Sequence, residues 1–365
     1  MSGDVRALIE RPNASYKQLF HFNGKDGQGP GTLTYFNGLL YGTTVLGGPL
    51  NSGVIFTITP AGKEHELNAF KDAFDGSGPN SPLIVVGGEL YGTANSAGKN
   101  NAGVVFKMTP SGKISVVYNF KGFPDGAAPA AGLTYLHGTF YGTTSNGGKS
   151  NDGTVFAVTP AGKERVLHSF KGGNDGEDPQ EVLTAVNGVL YGTTPQGGAF
   201  NGGTAFSITT AGKERVLHAF TGTKTGSSDG FNPLTSLLYD NGQLYGTTDG
   251  GGVSGNGTVF TITTSGKERI LYTFGGDPDG DAPEAGLIDV NGVLYGTTGG
   301  GGLASYGTVF RLTTSGSETV LHSFAGGNDG CTPFSAVTYA KGKLYGTAVA
   351  CGGPGGDGSV FELSR

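Results

Sequence analysis

Seven aspartates stand at the same place in a recurring Asp-Gly-x-x-Pro pattern, and together they could gather positive charge. They are Asp26, Asp75, Asp125, Asp175, Asp229, Asp279 and Asp329. If the fold brings them to one mouth of a central channel, the carboxylates form a ring that attracts a cation or a basic partner. The pattern is also typical of a turn, in which the carboxylate caps its own backbone, Gly takes a positive φ and Pro fixes the start of a strand. We favour the turn, because residues repeated in every copy usually serve the fold.

These aspartates do not by themselves predict a cofactor. One carboxylate in each loop falls short of the about six to eight oxygen ligands that calcium prefers, and no stretch has the EF-hand spacing. No cofactor is therefore predicted, although a cation at the channel remains an alternative.

Asp289 departs from the repeat and is the one candidate for catalysis. At the equivalent position the other repeats have Tyr35, Val85, Tyr135, Ala185, Tyr239 and Tyr339. A carboxylate among tyrosines on an inner strand would have a perturbed pKa, so it could transfer a proton or bind an ion. The alternative is a carboxylate that accepts a hydrogen bond from a neighbouring tyrosine hydroxyl.

Three histidines share one position of the repeat. That position holds His168, His218 and His322, and elsewhere it holds Tyr118, Tyr272, Phe20 and Asn68. Because aromatic residues replace histidine so freely, we interpret the position as packing and not as a catalytic or metal-ligand set. The sequence also has no His-Glu-x-x-His or Cys-x-x-Cys motif. Whether the protein is an enzyme is left open, and the residues favour a non-enzyme.

Charge recurs in the triplet Lys-Glu-Arg, at residues 163–165, 213–215 and 267–269. On the outermost strand of a sheet, such mixed charge prevents pairing with another edge and keeps the rim hydrated. We expect these side chains to be solvated.

The elements that position these residues follow from a Tyr-Gly-Thr triplet that occurs seven times. Its tyrosines are Tyr41, Tyr91, Tyr141, Tyr191, Tyr245, Tyr295 and Tyr345, with spacings of 50 residues and a single spacing of 54. A repeat of about 40–50 residues is the length of a four-stranded propeller blade. The sequence therefore predicts an all-β, seven-bladed β-propeller of four-stranded antiparallel blades, as one domain over residues 1–365.

One repeat shows the four strands. Residues 132–136, 139–144, 154–159 and 163–170 are β-rich runs, which we name strands A to D from the channel outward. Asn-Gly turns between strands A and B, as at Asn187-Gly188, are strong hairpin signals. The last repeat lacks strand D, and residues 15–22 match that strand. We expect this N-terminal strand to clasp the last blade as its outermost member.

Two departures lie outside this regular pattern. The 54-residue spacing arises from an insertion in residues 221–230, which is either a tolerated accident or a partner contact. The only cysteines, Cys331 and Cys351, flank the hairpin at Lys341-Gly342 almost symmetrically, so a disulfide between them is expected. Such a bond would indicate an oxidising compartment.

Composition limits the partners. The net charge of −6 and the absence of a Lys/Arg-rich stretch argue against nucleic acid. No apolar run reaches the about 18 residues of a membrane helix. The first residues show no signal-peptide core, so the chain is either cytosolic or has lost a signal. We expect a monomer that binds a protein or a glycan.

The motif Leu-Tyr-Gly-Thr-Thr-x-x-Gly-Gly, followed by Gly-Thr-Val-Phe, Gly-Lys-Glu and Val-Leu-His-Ser-Phe, resembles the GloVer tandem repeat. The resemblance covers residues 16–363. It implies a propeller fold and export to the cell surface or the medium, with a cytoplasmic location left open. It transfers no catalytic residue to this chain.

Three functions are consistent with these observations. The first is a secreted or surface propeller that binds a protein or glycan through the D–A and B–C loops, without catalysis. The second is a lyase or hydrolase at the channel mouth, with Asp289 or the seven aspartates as acid and base. The third is a structural surface protein, cross-linked through glutamines such as Gln28 and Gln196.

Overall fold

Seven four-stranded antiparallel sheets are arranged in a ring in the computed structural model, which describes residues 14–221 and 229–364. The innermost strands A are Thr34–Phe36, Ile84–Val86, Thr134–Leu136, Thr184–Val186, Leu238–Asp240, Ile288–Val290 and Thr338–Ala340. Strands B are Leu39–Leu46, Glu89–Ala94, Thr139–Thr144, Val189–Thr194, Gln243–Thr248, Val293–Thr298 and Lys343–Ala348. Neighbouring strands A contact each other around the ring, so they form its inner wall.

The outer half of each blade is formed by strands C and D. Strands C are Val54–Ile58, Val104–Met108, Thr154–Val158, Thr204–Thr209, Thr258–Thr263, Thr308–Thr313 and Ser359–Ser364. Strands D are Glu64–Ala69, Ile114–Asn119, Glu164–Ser169, Glu214–Ala219, Glu268–Thr273, Glu318–Ser323 and, for blade 7, Ser15–His21. The predicted seven-bladed propeller is confirmed.

Short pieces of structure lie in the connections. Two-residue and three-residue strands occur at Gln28–Pro30, Gly126–Ala127, Asn146–Gly147, Gly230–Phe231, Gly250–Gly251, Gly280–Asp281 and Gly300–Gly301, and single 3-10 turns at Gly173–Asp175 and Gly327–Asp329. The inserted residues of the 54-residue repeat fall mainly within 222–228, outside the described residues. The described part of the chain contains no helix long and apolar enough to cross a membrane.

The A–B turns follow from local backbone preference. At Asn187-Gly188 both residues have positive φ, 51° and 81°, which is the requirement of a tight type I′ hairpin. His137 and Lys341 replace Asn in two blades and take the same conformation, with φ of 49° each. The neighbouring glycine and the strand pairing therefore dictate this turn even where the first residue is unfavourable.

The hydrophobic core lies between neighbouring blades. Tyr191 of blade 4 is buried with Leu244 and Phe260 of blade 5, and Phe220 joins them from the connection between the two blades. The rings of Phe220 and Phe260 meet edge to face at 5.0 Å. The same arrangement recurs around the ring, so each sheet buries its apolar faces only against its neighbours.

Ring closure depends on the N-terminal strand. Ser15–His21 pairs antiparallel with Ser359–Ser364, with Tyr16 opposite Leu363, and completes blade 7 as its outermost strand. The ring of Tyr16 stacks on His322 of blade 6 at 3.7 Å. The predicted clasp is thus confirmed. In the same blade a disulfide joins Cys331 of the D–A loop to Cys351 of the B–C loop.

The glycine of Tyr-Gly-Thr has a packing role that can be tested at Gly246. A Cβ atom added there would lie 2.6 Å from Cζ of Phe260 and 2.9 Å from Cδ2 of Leu237. We expect Gly246→Ala to lower the free energy of unfolding by about 1–3 kcal/mol, because the buried ring must shift. Denaturant unfolding measures this change.

The matched control is Gly275→Ala. An added Cβ at Gly275 would meet its nearest atom, Oδ2 of Asp279, at an ordinary 3.5 Å. Equal losses of stability in the two variants would show that backbone entropy, and not the Phe260 ring, explains the glycine.

Candidate functional site

The seven repeated aspartates lie beside the outermost strands and not around the channel. Each accepts a hydrogen bond from a backbone N–H at the end of the preceding strand D; for example, Oδ2 of Asp175 accepts from Lys171 at 3.1 Å and Oδ2 of Asp279 from Gly275 at 2.8 Å. The other five do the same at Asn23, Lys71, Lys121, Thr221 and Ala325. This is the capping that turn chemistry predicts.

The aspartates also bind the side chains that we interpreted as packing. Nε2 of His168 lies 3.1 Å from Oδ2 of Asp175, and the same pairing joins His218 to Asp229 at 3.2 Å. His322 pairs with Asp329 in the same way, and where tyrosine replaces histidine, its hydroxyl donates to the aspartate, as in Tyr118 to Asp125 and Tyr272 to Asp279. His168 does pack edge to face on Phe170. The interpretation as packing alone was therefore incomplete.

A glutamate of the next blade faces each of several such pairs. It is the first residue of strand D, and examples are Glu164, Glu214 and Glu268 of the Lys-Glu-Arg triplets. Oε1 of each is buried and, among the described residues, makes no hydrogen bond. The expectation that the triplet is solvated is wrong for its glutamate, because alternate residues of a strand point to opposite faces and this one points into the blade interface.

We call these three residues the interblade cluster: a strand D side chain, the following aspartate, and the first strand D residue of the next blade. Two adjacent clusters have the composition His-Asp-Glu, with their ligand atoms within 4.8 Å of one another. They consist of His168, Asp175 and Glu214, and of His218, Asp229 and Glu268. In the sequence, the sign of these clusters is that His and Asp of one repeat are followed by Glu in the next repeat. This sign can be recognised only when it is known which strands of neighbouring blades lie side by side.

Burial sets the charge state of the cluster glutamates. Burial, reinforced by the negative charge of Asp175, raises the pKa of Glu214 to about 7. Burial and the charge of Asp279 raise the pKa of Glu318 to about 8. The same causes raise the pKa values of Glu64, Glu164 and Glu268 to about 7. These glutamates therefore hold a proton more tightly than an exposed carboxylate does.

Asp289 lies on the inner wall, as expected from its place in strand A. Its Oδ1 accepts a hydrogen bond from the backbone N–H of Gly292 at 3.2 Å, within its own A–B turn. Its Oδ2 is buried and accepts no hydrogen bond among the described residues. The bond to a tyrosine hydroxyl that we considered is replaced by this turn contact.

The D–A and B–C loops form one continuous face of the ring. Between blades 3 and 4, the N–H of Asp178 donates to the carbonyl of Asp152 and that of Glu177 to the carbonyl of Gln196, both at 3.0 Å. A cavity of about 460 Å³ lies at this junction, lined by Ser145, Asn146, Asn151, Asp152, Glu177, Asp178, Gln180 and Gln196. Gln196 is exposed, whereas Gln28 is half-buried, so only Gln196 fits the expected exposure of cross-linking glutamines.

Large apolar side chains are exposed on this face. Phe74 and Phe123 of the D–A loops are 81% and 73% exposed, and Val253 and Leu303 of the B–C loops are 85% and 75% exposed. Leu46, Leu50, Phe200, Tyr306 and Phe334 are exposed there too. The remaining large exposed apolar residues among those described are Tyr135, Tyr239 and Tyr339 of strand A. The loop tips thus vary on a uniform scaffold.

The repeat itself identifies the family. The model of the Gloeobacter/Verrucomicrobia repeat matches residues 9–186 and 161–361, which together span nearly the whole chain. The chain belongs to this repeat family. The resemblance noted from the motif is therefore confirmed. A comparison with the curated proteins found no match.

Solved structures similar to this member of the repeat family share its fold at low identity. The BP39L lectin from Burkholderia pseudomallei has a TM-score of 0.62 at 13% identity, with 92% of this chain and 96% of the lectin covered. A puromycin hydrolase has a TM-score of 0.57 at 12% identity, covering 90% of this chain and 51% of the hydrolase. A europium-containing methanol dehydrogenase gives 0.51 at 12% identity, covering 91% and 81%. These likenesses show the propeller fold alone.

The raised pKa of Glu318 predicts a pH dependence of stability. Because its pKa rises from 4.5 to about 8 on folding, the folded state binds the proton more tightly, and this stabilisation is complete below pH 4.5 and is lost as the pH rises through about 8. We expect Glu318→Gln, which stays neutral, to gain about 1–3 °C in melting temperature relative to wild type between pH 5 and pH 9.

Thermal unfolding across this pH range measures the difference. The control is Glu66→Gln, since Glu66 lies on a strand D but is exposed to solvent. A difference between Glu318→Gln and wild type that stays constant with pH would contradict the assignment.

Proposed function

We propose that the protein is a non-catalytic, exported propeller that binds another protein through the face formed by its D–A and B–C loops. The observation that carries this proposal is the exposure of large apolar side chains at the tips of those loops. Large apolar side chains that are concentrated on one face are typical of a surface that contacts a partner. Connecting loops on a rigid scaffold are also where binding residues concentrate.

The distribution of these residues favours a partner that covers part of the ring. Phe74 and Phe123 lie on neighbouring D–A connections, and Val253 and Leu303 on neighbouring B–C loops. Aromatic and large aliphatic residues supply most of the affinity of protein interfaces when a partner desolvates them. In the turns of the opposite face, by contrast, the exposed residues are small or polar, for example Ala61 and Ala161.

Catalysis is the weaker alternative. The described hydrogen bond of Asp289 is that of a turn residue, and the seven aspartates cap backbone N–H groups beside the outer strands. General acid–base catalysis needs a proton donor or acceptor placed against a substrate pocket. Asp289 and the seven aspartates do not line the cavity between blades 3 and 4. Of the seven, Asp125 does line a second cavity of about 630 Å³ beside Glu164 and His168, at the outer strands.

Export fits the disulfide between Cys331 and Cys351, since such bonds persist mainly in oxidising compartments. The bond joins a D–A loop to a B–C loop, so it also fixes two segments of the proposed binding face. We therefore include export of the protein in the proposed function.

Two double variants test which part of the face binds. We expect either Phe74→Ser with Phe123→Ser, or Val253→Ser with Leu303→Ser, to weaken binding of a protein partner by about 10-fold or more, because 1.4 kcal/mol of lost apolar contact corresponds to a factor of 10. A partner captured from culture medium is purified, and its affinity for each variant is measured by calorimetry.

The matched control places three conservative changes on the opposite face, Ala61→Ser, Ala161→Ser and Ala211→Ser, all at exposed positions of C–D turns. Wild-type affinity is expected for this control. If both double variants keep full affinity, or if the control loses it, the loop face is not the binding surface.

A glycan is the second candidate, because the cavity between blades 3 and 4 is lined almost entirely by amide, carboxylate and hydroxyl side chains. Such groups provide the donors and acceptors that orient a sugar. We expect a glycan array to show a ligand whose binding is lost in Asn146→Ala and Gln196→Ala but retained in the Phe74→Ser and Phe123→Ser variant. Binding that survives loss of both amides would exclude the cavity.

A further inference from the structure

We propose that the two His-Asp-Glu interblade clusters are metal sites, each binding one divalent transition-metal ion, for which Zn²⁺ is the best match. One site consists of His168, Asp175 and Glu214, and the other of His218, Asp229 and Glu268. Each ion would join the strand D of one blade to the strand D of the next. This proposal does not rest on the binding function proposed for the loop face.

The spacing of the ligand atoms suits tetrahedral coordination. Bond lengths of about 2.0–2.1 Å separate neighbouring ligand atoms by about 3.3 Å in a tetrahedral zinc site. Nε2 of His168 and Oδ2 of Asp175 are already 3.1 Å apart. The glutamate ligand atom lies within 4.8 Å of both, so a rotation of the Glu214 side chain brings it into range. Three protein ligands leave a fourth position for water.

The glutamate supplies a second observation, which the two sites share with Glu64, Glu164 and Glu318 in interfaces that lack the histidine. Oε1 of Glu214 is buried and accepts no hydrogen bond among the described residues, and Oε1 of Glu268 repeats this in the next interface. Unpaired buried carboxylate oxygens are costly, so they are normally satisfied by a donor or a cation. Arg215, the residue after Glu214, does not serve here, because its Nη2 donates to the carbonyl of Ser265 at 2.8 Å.

The donor atoms of these sites indicate which metal they would bind. Imidazole nitrogen with two carboxylates suits Zn²⁺ and its neighbours such as Co²⁺ and Ni²⁺, whereas Ca²⁺ and Mg²⁺ prefer all-oxygen sites. The histidine side chains are partly exposed, 16% for His168 and 22% for His218, so an ion can enter from the rim.

The other interfaces act as natural comparisons, since each lacks at least one ligand. Blades 1 and 2 offer Asn68, Asp75 and Ile114, and blades 6 and 7 place Tyr16 where the glutamate would be. At blades 2 and 3 and at blades 5 and 6, Tyr118 and Tyr272 replace the histidine. Tyrosine at the histidine position is therefore compatible with the fold.

The experiment titrates the chain, first treated with a chelator, with ZnCl₂ by calorimetry and with CoCl₂ by visible absorption. We expect two ions per chain and a rise in melting temperature on adding Zn²⁺. His168→Tyr and His218→Tyr each remove one ion, and the double variant removes both. Because tyrosine is native at this position in two blades, these variants should fold, and circular dichroism checks that they do.

His322→Tyr is the matched control. It changes the same position in an interface without a glutamate, so it keeps both ions. Glu214→Gln supplies a second test of the first site, with a loss of one ion and no change at the other. The proposal is overturned if wild type binds neither Zn²⁺ nor Co²⁺ tightly enough for a stoichiometric endpoint. It is equally overturned if His168→Tyr and His218→Tyr together leave that stoichiometry unchanged.

Discussion

Packing between blades is the interaction on which the rest of this structure depends. A single four-stranded sheet of this size cannot bury either face alone, so its apolar residues are satisfied only when another sheet lies against them. The buried Phe of strand C, as at Phe260, fits because the glycine of Tyr-Gly-Thr leaves space for its ring. Since each sheet needs a neighbour on both sides, the array must close, and the N-terminal strand completes the last blade.

The close packing of neighbouring blades also changes the electrostatics at the outer rim. Where strands D of adjacent blades approach, an aspartate that caps a turn meets a histidine or tyrosine of one blade and a glutamate of the next. Burial of these groups raises the glutamate pKa values, as at Glu214 and Glu318. A packing requirement thus produces a row of polar clusters, and their composition differs from one interface to the next.

The loops differ from this repeated framework because their sequences vary from blade to blade. Residues that repeat in every blade hold the ring together, so variation between blades falls on the tips of the D–A and B–C loops, where it does not disturb the sheets. Apolar side chains such as Phe74 and Val253 occur at those tips, and a polar cavity lies between blades 3 and 4. The surface of the loop face can therefore change without changing the fold.

The blade count, the strand order, the turns and the clasp follow from the sequence alone, because each depends on local signals repeated at a fixed period. Asn187-Gly188 specifies its hairpin, and residues 15–22 match a missing strand, without any knowledge of distant contacts. The buried environment of Glu214, whose repeat position predicts solvent exposure, and the polar role of His168 are visible only in the folded protein. These residues are about 46 positions apart and meet because adjacent blades pack side by side, and no local pattern encodes which faces of two strands will lie together.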